Sequence, residues 1–536
     1  MKREIIIAIL FLGLILSGGF FAPEASAAIF TVTNNADSGA GSFRQAVLAA
    51  NSAGTNDTIE FAPALSGATI TLASEIFLGG TGTLTINGLG ANRLIIDGGT
   101  GNNRLFQTGG TVTIRGVTLQ NGGGPGFSDV GSAVRGNFGT IVLDGVIVQN
   151  NQSNAVYFQL GSNHVISNST IANNTADSCA GVRADRTSVT ITNTTFSGNN
   201  STSSAGGGLC IWDASTATIR NSTIANNNAN GAGGQGGGGM QIFSSTVTFG
   251  NTIIAGNTSP TGPDIHRFSG TVQTTGGNLI GNNSTVSGAF PAGAPNGNGD
   301  KVNVAALLLP LGNYGGTTLT RALLSTSPAI NAGNNVAGTP PTDQRGAARS
   351  GAVDSGAFEN NSEAFFTLPP GTVNQPYNYT LTTNSGTLAY SLSGGSLPNG
   401  LSFSSNLAPN AVISIAGTPT LANNFNFAVT TSDGVNSSVA NYTLQILPAP
   451  TAANVLVAGR ILTPDGRGLI NARVILTDAG GSSRTVSSTS FGYYRFEDVR
   501  AGEVYILSVS SKRYLFTPQA LTVMEDISEL NFNALP

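Results

Sequence analysis

Charge is scarce in this sequence. Asp, Glu, Lys and Arg together make up 9% of the 536 residues, and the net charge is −4. A nucleic-acid binder needs a basic surplus to neutralise phosphates, and none exists here. Cysteine numbers two, histidine two and tryptophan one, which excludes a disulfide-stapled scaffold and leaves no zinc-ligand spacing. Beyond the N-terminal segment no apolar run approaches the about 20 residues needed to cross a bilayer as a helix. Lysine is nearly absent from the first two thirds of the chain, and helical periodicity is confined to one short segment.

What is abundant is glycine, with 72 residues, and it recurs with asparagine at fixed places. The segments VTIRG (112–116), IVLDG (141–145), VTITN (189–193), ATIRN (217–221) and VTFGN (247–251) align. One apolar column reads Ile114, Leu143, Ile166, Ile191, Ile219, Phe249, and a second reads Leu119, Val148, Ile171, Phe196, Ile224, Ile254, Leu279. Members of the second column stand 23 to 30 residues apart, the mark of a repeat with loops of variable length. Between the columns lie Gly116, Gly145, Asn168, Asn193, Asn221, Asn251 and Gly276. Only Gly and Asn adopt a left-handed backbone cheaply, so a bend is expected at this point of every turn. A further row, Gly122, Asn151, Asn174, Asn199, Asn227, Asn257 and Asn282, suits amides that hydrogen-bond from turn to turn. Short strands that cannot bury a face alone can do so when stacked, which predicts a right-handed parallel β-helix.

The N-terminus suggests a compartment. Lys2 and Arg3 precede an apolar run over 5–21, and Ala25-Ser26-Ala27 supplies an A-x-A cleavage site, so residues 1–27 read as a signal peptide of a secreted or cell-surface protein. The run is nearly long enough for a single membrane anchor, which is the competing reading; a cleaved mature chain would hold no transmembrane segment. In 30–50, FTVTNNADSGAGSFRQAVLAA, a strand and a Gly-rich turn lead into a short helix capped by Ser42, with Phe43, Ala46, Val47 and Ala50 on one face. A solenoid end leaves an open core, and this segment is expected to cover it. Cys179 and Cys210 fall in adjacent turns but out of register, so a disulfide stays open.

The opening segment resembles that of bacterial secreted β-helix proteins described as having a choice-of-anchor organisation. SPAINAG (327–333), DQRG (343–346) and DSGAFE (354–359) resemble the closing signature of that group. FSGN (196–199) and Gly207-Gly208 resemble the repeats of polymorphic outer-membrane adhesins. These resemblances assign 28–361 to a capped β-helix. Residues 362–447 alternate strands with Pro/Gly turns, as in LPNGLSF (397–403) and FAVTTSDG (427–434), and resemble the Ig-like, cadherin-related modules of bacterial surface proteins. Some relatives of those modules bind calcium, but Asp433 is the one acidic group near the matching strand end, a poor hard-cation site. No cofactor or metal is otherwise expected. Residues 448–453 read as a Pro-stiffened linker. Residues 454–536, with DGRG (465–468) and FGYYRF (491–496), resemble the carboxypeptidase regulatory-like, prealbumin-like domain. The expected class is all-β: a parallel β-helix, then two small antiparallel β-sandwiches.

One surface carries chemistry. The second strand of each turn has an inward column, Leu105, Val134, Val156, Val182, Leu209, Met240, Ile265. Its outward neighbours are Phe106, Arg135, Tyr157, Arg183, Cys210, Gln241 and His266, followed two residues on by Thr108, Asn137, Gln159, Asp185, Trp212, Phe243 and Phe268. Arg135, Tyr157, Arg183, Asp185, Trp212, Phe243 and His266 therefore form a candidate ligand-binding stripe. Aromatic faces stack on sugar C–H surfaces while charged groups hydrogen-bond hydroxyls, so the expected partner is an extracellular polysaccharide or cell-surface glycan, and the expected role is adhesion. Cross-strand packing of the aromatics explains the same pattern without a ligand. β-Helices also include pectate lyases, polygalacturonases and pectin esterases, so a polysaccharide lyase or glycoside hydrolase is an alternative. Its catalytic candidates are Asp185 and Asp213 with Arg183, although the register sets the two carboxylates one residue apart. A structural spacer or display stalk is the third reading.

Overall fold

A computed structural model describes residues 27–535 except 81, 125–129, 162, 232–234, 336–337, 362–363, 384–386, 405–411, 450–453, 479–481 and 524. The expectations for residues 1–26 and for most of the linker fall outside the described residues.

Three parallel sheets form a β-solenoid. The first has ten strands, from Ile29–Val32 to Gly270–Thr274; the second has eight, from Ile76–Leu78 to Ile265–Arg267; the third has ten, from Ala68–Thr71 to Lys301–Val302. Each strand pairs with its equivalent one turn away, so like side chains stack. In the first sheet Ile86, Ile114, Leu143, Ile166, Ile191, Ile219 and Phe249 are aligned by register and are at most 1% exposed. In the third, Ile96, Leu119, Val148, Ile171, Phe196, Ile224, Ile254 and Ile280 do the same. The expected last member, Leu279, is off by one: it pairs with Ile253 and faces outward, because the corner before it holds two left-handed glycines, Gly276 and Gly277.

The corner column behaves as its composition demands. Gly116, Gly145, Asn168, Asn193, Asn221, Asn251 and Gly276 all have positive φ, between 45° and 85°. Close stacking explains another glycine pair: a Cβ on Gly207 would lie 2.4 Å from the carbonyl oxygens of Asn228 and Gly238.

The amide ladder is continuous and buried. Nδ2 of Asn151, Asn174, Asn199 and Asn227 each donates to the Oδ1 of the next rung at 2.8–2.9 Å, and each backbone N–H donates to the same oxygen. Asn282 is not the final rung. Asp264 is, accepting from Asn257 N and Nδ2 at 3.1 and 2.9 Å. A terminal rung needs no onward donor, so a carboxylate can close the series. Burial raises its pKa to about 6.

The N-terminal helix (α1, Phe43–Ala53) begins at Ser42, whose hydroxyl accepts from Gln45 N, and ends at left-handed Gly54. It buries Phe43, Ala46, Val47 and Ala50 over the open end of the core. At the other end Phe290 and Val286 close the core against Phe249.

The closing segment, residues 306–359, runs back along the third sheet and covers its outer face. Thr170, Thr195 and Thr223, stacked there in register, are at most 1% exposed. Thr170 donates to Leu319 O, Thr195 to Gln344 Oε1, and Thr223 accepts from Ala357 N. A buried ionic cluster fixes the segment: Arg345 pairs with Asp343 at 2.8 Å and Arg349 with Glu359 at 2.9 Å, while Arg345 stacks on Phe358 and Phe366.

Beyond it, strands from Phe365–Thr367 to Ser437–Leu447 form two sheets in a mostly antiparallel sandwich. It docks on the solenoid: Asn92 Nδ2 donates to Thr380 O at 2.6 Å and Asn313 Nδ2 to Leu381 O at 2.7 Å. One apolar cluster runs from Ile253 and Leu279 through Tyr314 and Phe358 to Tyr390 and Tyr442. The last strands, Asn454–Leu462 to Phe532–Asn533, form a second two-sheet sandwich around its own core of Val457, Val474, Phe496 and Leu507. No helix among the described residues is long and apolar enough to cross a membrane.

Candidate functional site

The closing segment leaves the outer faces of the first and second sheets uncovered, and the second is the wall that carries the aromatic and charged stripe. Its inward column, Val134, Val156, Val182, Leu209, Met240 and Ile265, is in register and fully buried. Its outward column aligns Arg135, Tyr157, Arg183, Cys210, Gln241 and His266. The first turn departs from the expected alignment: Phe106 pairs with Val134 and Gln107 with Arg135. Phe106, expected outward, thus points into the core, where it packs edge-on against Phe43 under the cap.

Arg183 is the centre of the wall. Its guanidinium lies 4.6 Å from the Trp212 ring centroid and 5.3 Å from that of Tyr157. It donates to Asp185 through Nε at 3.0 Å and Nη2 at 2.7 Å. Tyr157 Oη donates to the same carboxylate at 3.0 Å. Asp185 is 2% exposed, so this carboxylate is enclosed by its partners. Burial and then the Asp185 charge push the Tyr157 hydroxyl up to about 12, which keeps it a donor at neutral pH.

Toward the next turns the wall becomes a shallow cavity of about 340 Å³, lined by Trp212, Phe243, Phe268, Arg183, Asp213, Gln235 and Gln241. Phe243 and Phe268 tilt together at 5.5 Å, and His266 meets Phe268 edge-on at 6.2 Å. His266 is only 5% exposed, its Nδ1 lies 3.4 Å from Gln241 Nε2, and burial lowers its pKa. The indole Nε1 of Trp212 is buried with no hydrogen-bond partner.

The stripe read from the sequence therefore divides. Arg183, Trp212 and Phe243 line the cavity; Tyr157, Asp185 and His266 support it from below. Arg135 lies two turns away, with its Nε on Asn137 Oδ1 at 2.9 Å. Asp213 is exposed in a left-handed turn one residue past Trp212, the residue that stands opposite Asp185. Gln241 and Phe268 stand in the outward columns without being among the candidates, and Gln235 is the lining residue that sequence reasoning missed altogether. It comes from a Gly-rich loop whose composition gives no sign of where it folds.

Cys179 and Cys210 form a disulfide, Cys210 standing in the outward column between Arg183 and Gln241. The register offset is bridged because Cys179 occupies a left-handed bend, φ 56°, from which its side chain crosses to the next turn. In the Ig-like unit Asp433 accepts from Val435 N and Asn436 N, capping its own hairpin.

Residues 131–306 match the family model described as "Right handed beta helix region", and residues 365–447 match the one described as "Putative Ig domain". No curated protein matches the chain. Among solved structures the chain is similar to the TIE protein of Bacillus anthracis, at 14% identity and a TM-score of 0.14, with 31% of this chain and 39% of that one covered. It is similar to an endo-fucoidan hydrolase from glycoside hydrolase family 107, at 15% identity and a TM-score of 0.15, with 32% and 28% covered. It is also similar to the major pilin subunit of Bacillus cereus, at 10% identity and a TM-score of 0.16, with 32% and 68% covered. The chain spans less than half the length of the first two, and likeness at this level carries no functional argument. The two family matches, set on the stacked parallel turns and the sandwich docked beside them, identify a right-handed β-helix region followed by an Ig-like domain.

Proposed function

We propose that the protein is an exported, surface-associated or secreted carbohydrate-binding protein that uses the second sheet of its β-helix as an adhesive wall. The observation that carries this reading is the cavity in which Trp212, Phe243 and Phe268 converge with Arg183, Asp213, Gln235 and Gln241. Three aromatic faces beside neutral and charged hydrogen-bonding groups suit a pyranose, which has apolar C–H faces and a rim of hydroxyls. The Arg183–Asp185–Tyr157 network supports the same reading, because it holds the guanidinium against the Trp212 ring before any ligand arrives. The exported location rests on the N-terminal sequence, and the final sandwich we read as prealbumin-like, an accessory module. Polysaccharide cleavage is less well supported: Asp185 is enclosed by Arg183 and Tyr157, which leaves Asp213 without a partner carboxylate for acid–base work.

A glycan array tests the proposal. Binding that is lost in Trp212→Ala and Arg183→Ala, with the circular dichroism spectrum unchanged, is the expected result. Release of reducing ends or unsaturated sugars from a polysaccharide panel would favour the enzyme, and no binding at all would favour the spacer.

A further inference from the structure

A second cavity, about 450 Å³, lies where the last turns of the solenoid meet the start of the closing segment. Arg321 lines it. This side chain is 7% exposed, and burial lowers its pKa. Its Nη1 donates to Ser197 Oγ at 3.0 Å, and with the Asn226 amide turned so that its oxygen faces the guanidinium, that oxygen accepts from Nη1 and Nη2 at 3.2 and 3.3 Å. Its Nε is buried with no hydrogen-bond partner, and among the described residues no carboxylate forms an ion pair with it. A buried guanidinium held by neutral groups alone is expensive, since a desolvated charge is normally compensated by an opposite one. The other buried arginines of this protein obey that rule: Arg104, Arg345 and Arg349 each pair with a carboxylate. Arg321 is the exception, and it is the one that borders a cavity. The opposite lining is amide-rich, with Asn282 and Asn303, and Leu308 contributes an apolar flank, while the Asn257 amide is fully engaged in the ladder. Asp264, whose pKa burial raises to about 6, lies there as the end of the amide ladder.

We infer that this cavity is a binding site for an acidic sugar, in which the buried Arg321 guanidinium receives the oxyanion, a uronate carboxylate or a sulfate ester, and the asparagine amides receive hydroxyls. The volume matches a mono- to disaccharide, and a planar guanidinium fits an oxyanion with paired N–H groups. The site is separate from the Trp212 wall and does not depend on it.

The test is titration calorimetry of the whole chain with galacturonate, glucose 6-sulfate, galactose and inorganic sulfate. Saturable binding of the two acidic sugars, with none of galactose and weaker binding of inorganic sulfate, is expected. Arg321→Met should weaken acidic-sugar binding about ten- to a hundredfold, the value of a charge-assisted hydrogen bond. Leu308→Trp fills the cavity with Arg321 intact and should have the same effect, so the test survives if the arginine variant does not fold. Trp212→Ala should leave this binding unchanged. Equal binding of galactose, a response to inorganic sulfate alone, or full binding by both cavity variants would overturn the inference.

Discussion

Replacing Asn199 tests whether the amide ladder holds the turns together. Its Oδ1 accepts from Asn174 N at 3.2 Å and Nδ2 at 2.9 Å, and its Nδ2 donates to Ile171 O at 2.9 Å and Asn227 Oδ1 at 2.8 Å. In Asn199→Ala the Asn174 backbone N–H loses its acceptor inside a closed turn. The Asn174 amide keeps Val148 O, and Asn227 Oδ1 keeps the backbone N–H of residue 199. One orphaned buried donor costs about 1–3 kcal/mol, and the three other lost bonds add about 0.5–1.5 kcal/mol each, so about 2.5–7.5 kcal/mol is expected. Asn199→Asp should be worse despite its equal size, because a carboxylate would face two acceptors, Ile171 O and Asn227 Oδ1. The control is Asn200→Ala: Asn200 accepts from Asn228 at 2.8 Å in a second, half-buried ladder, where water replaces the lost partner. Hydrogen exchange at the Asn174 amide, with chemical denaturation alongside, reads the local and global effects separately. If Asn199→Ala costs no more than Asn200→Ala, or if Asn199→Asp is harmless, the ladder is not what joins the turns.

Four further outcomes are expected. His164 is fully buried, stacked on Phe158 at 4.3 Å, and its Nδ1 accepts from Ile141 N, with its pKa lowered by burial from 6.5 to about 4. The unfolded chain takes up this proton first, so stability is full above about 6.5 and falls by ~3 kcal/mol as pH drops toward 4; His164→Gln should flatten that part of the melting-temperature profile. Asp264 has the opposite sign: its raised folded-state pKa makes its contribution greatest below 3.8 and lost as pH rises through about 6, a trend that Asp264→Asn should remove from the same profile. The double change Cys179→Ala with Cys210→Ala opens a loop spanning 31 residues and should cost about 3–4 kcal/mol in denaturant unfolding, with no effect in reducing buffer. Arg345→Met leaves Asp343 buried without its ion pair and should cost about 3–5 kcal/mol, seen as early proteolysis within residues 306–359.

The sequence by itself determined the coil. A corner that needs positive φ admits Gly or Asn, a core column admits one apolar side chain per turn, and a stacked amide must be Asn until the last rung. Each of these demands acts within a few residues and repeats, so it leaves a readable column. The misses follow from the same locality. Phe106 and Leu279 are displaced by one position where a turn gains or loses a residue, and a one-residue slip exchanges the two faces of a strand.

Only the tertiary structure decided which walls are free. Thr170, Thr195 and Thr223 look like solvent-facing residues, yet residues about 150 positions later in the chain cover them, through hydrogen bonds that have no period. Folding also brings Gln235 beside Trp212, and sets Arg321 at a cavity with no carboxylate paired to it. Backbone preference is a property of neighbouring residues and so is written locally. Exposure depends on what the rest of the chain leaves uncovered, and that is fixed only when the whole molecule has folded.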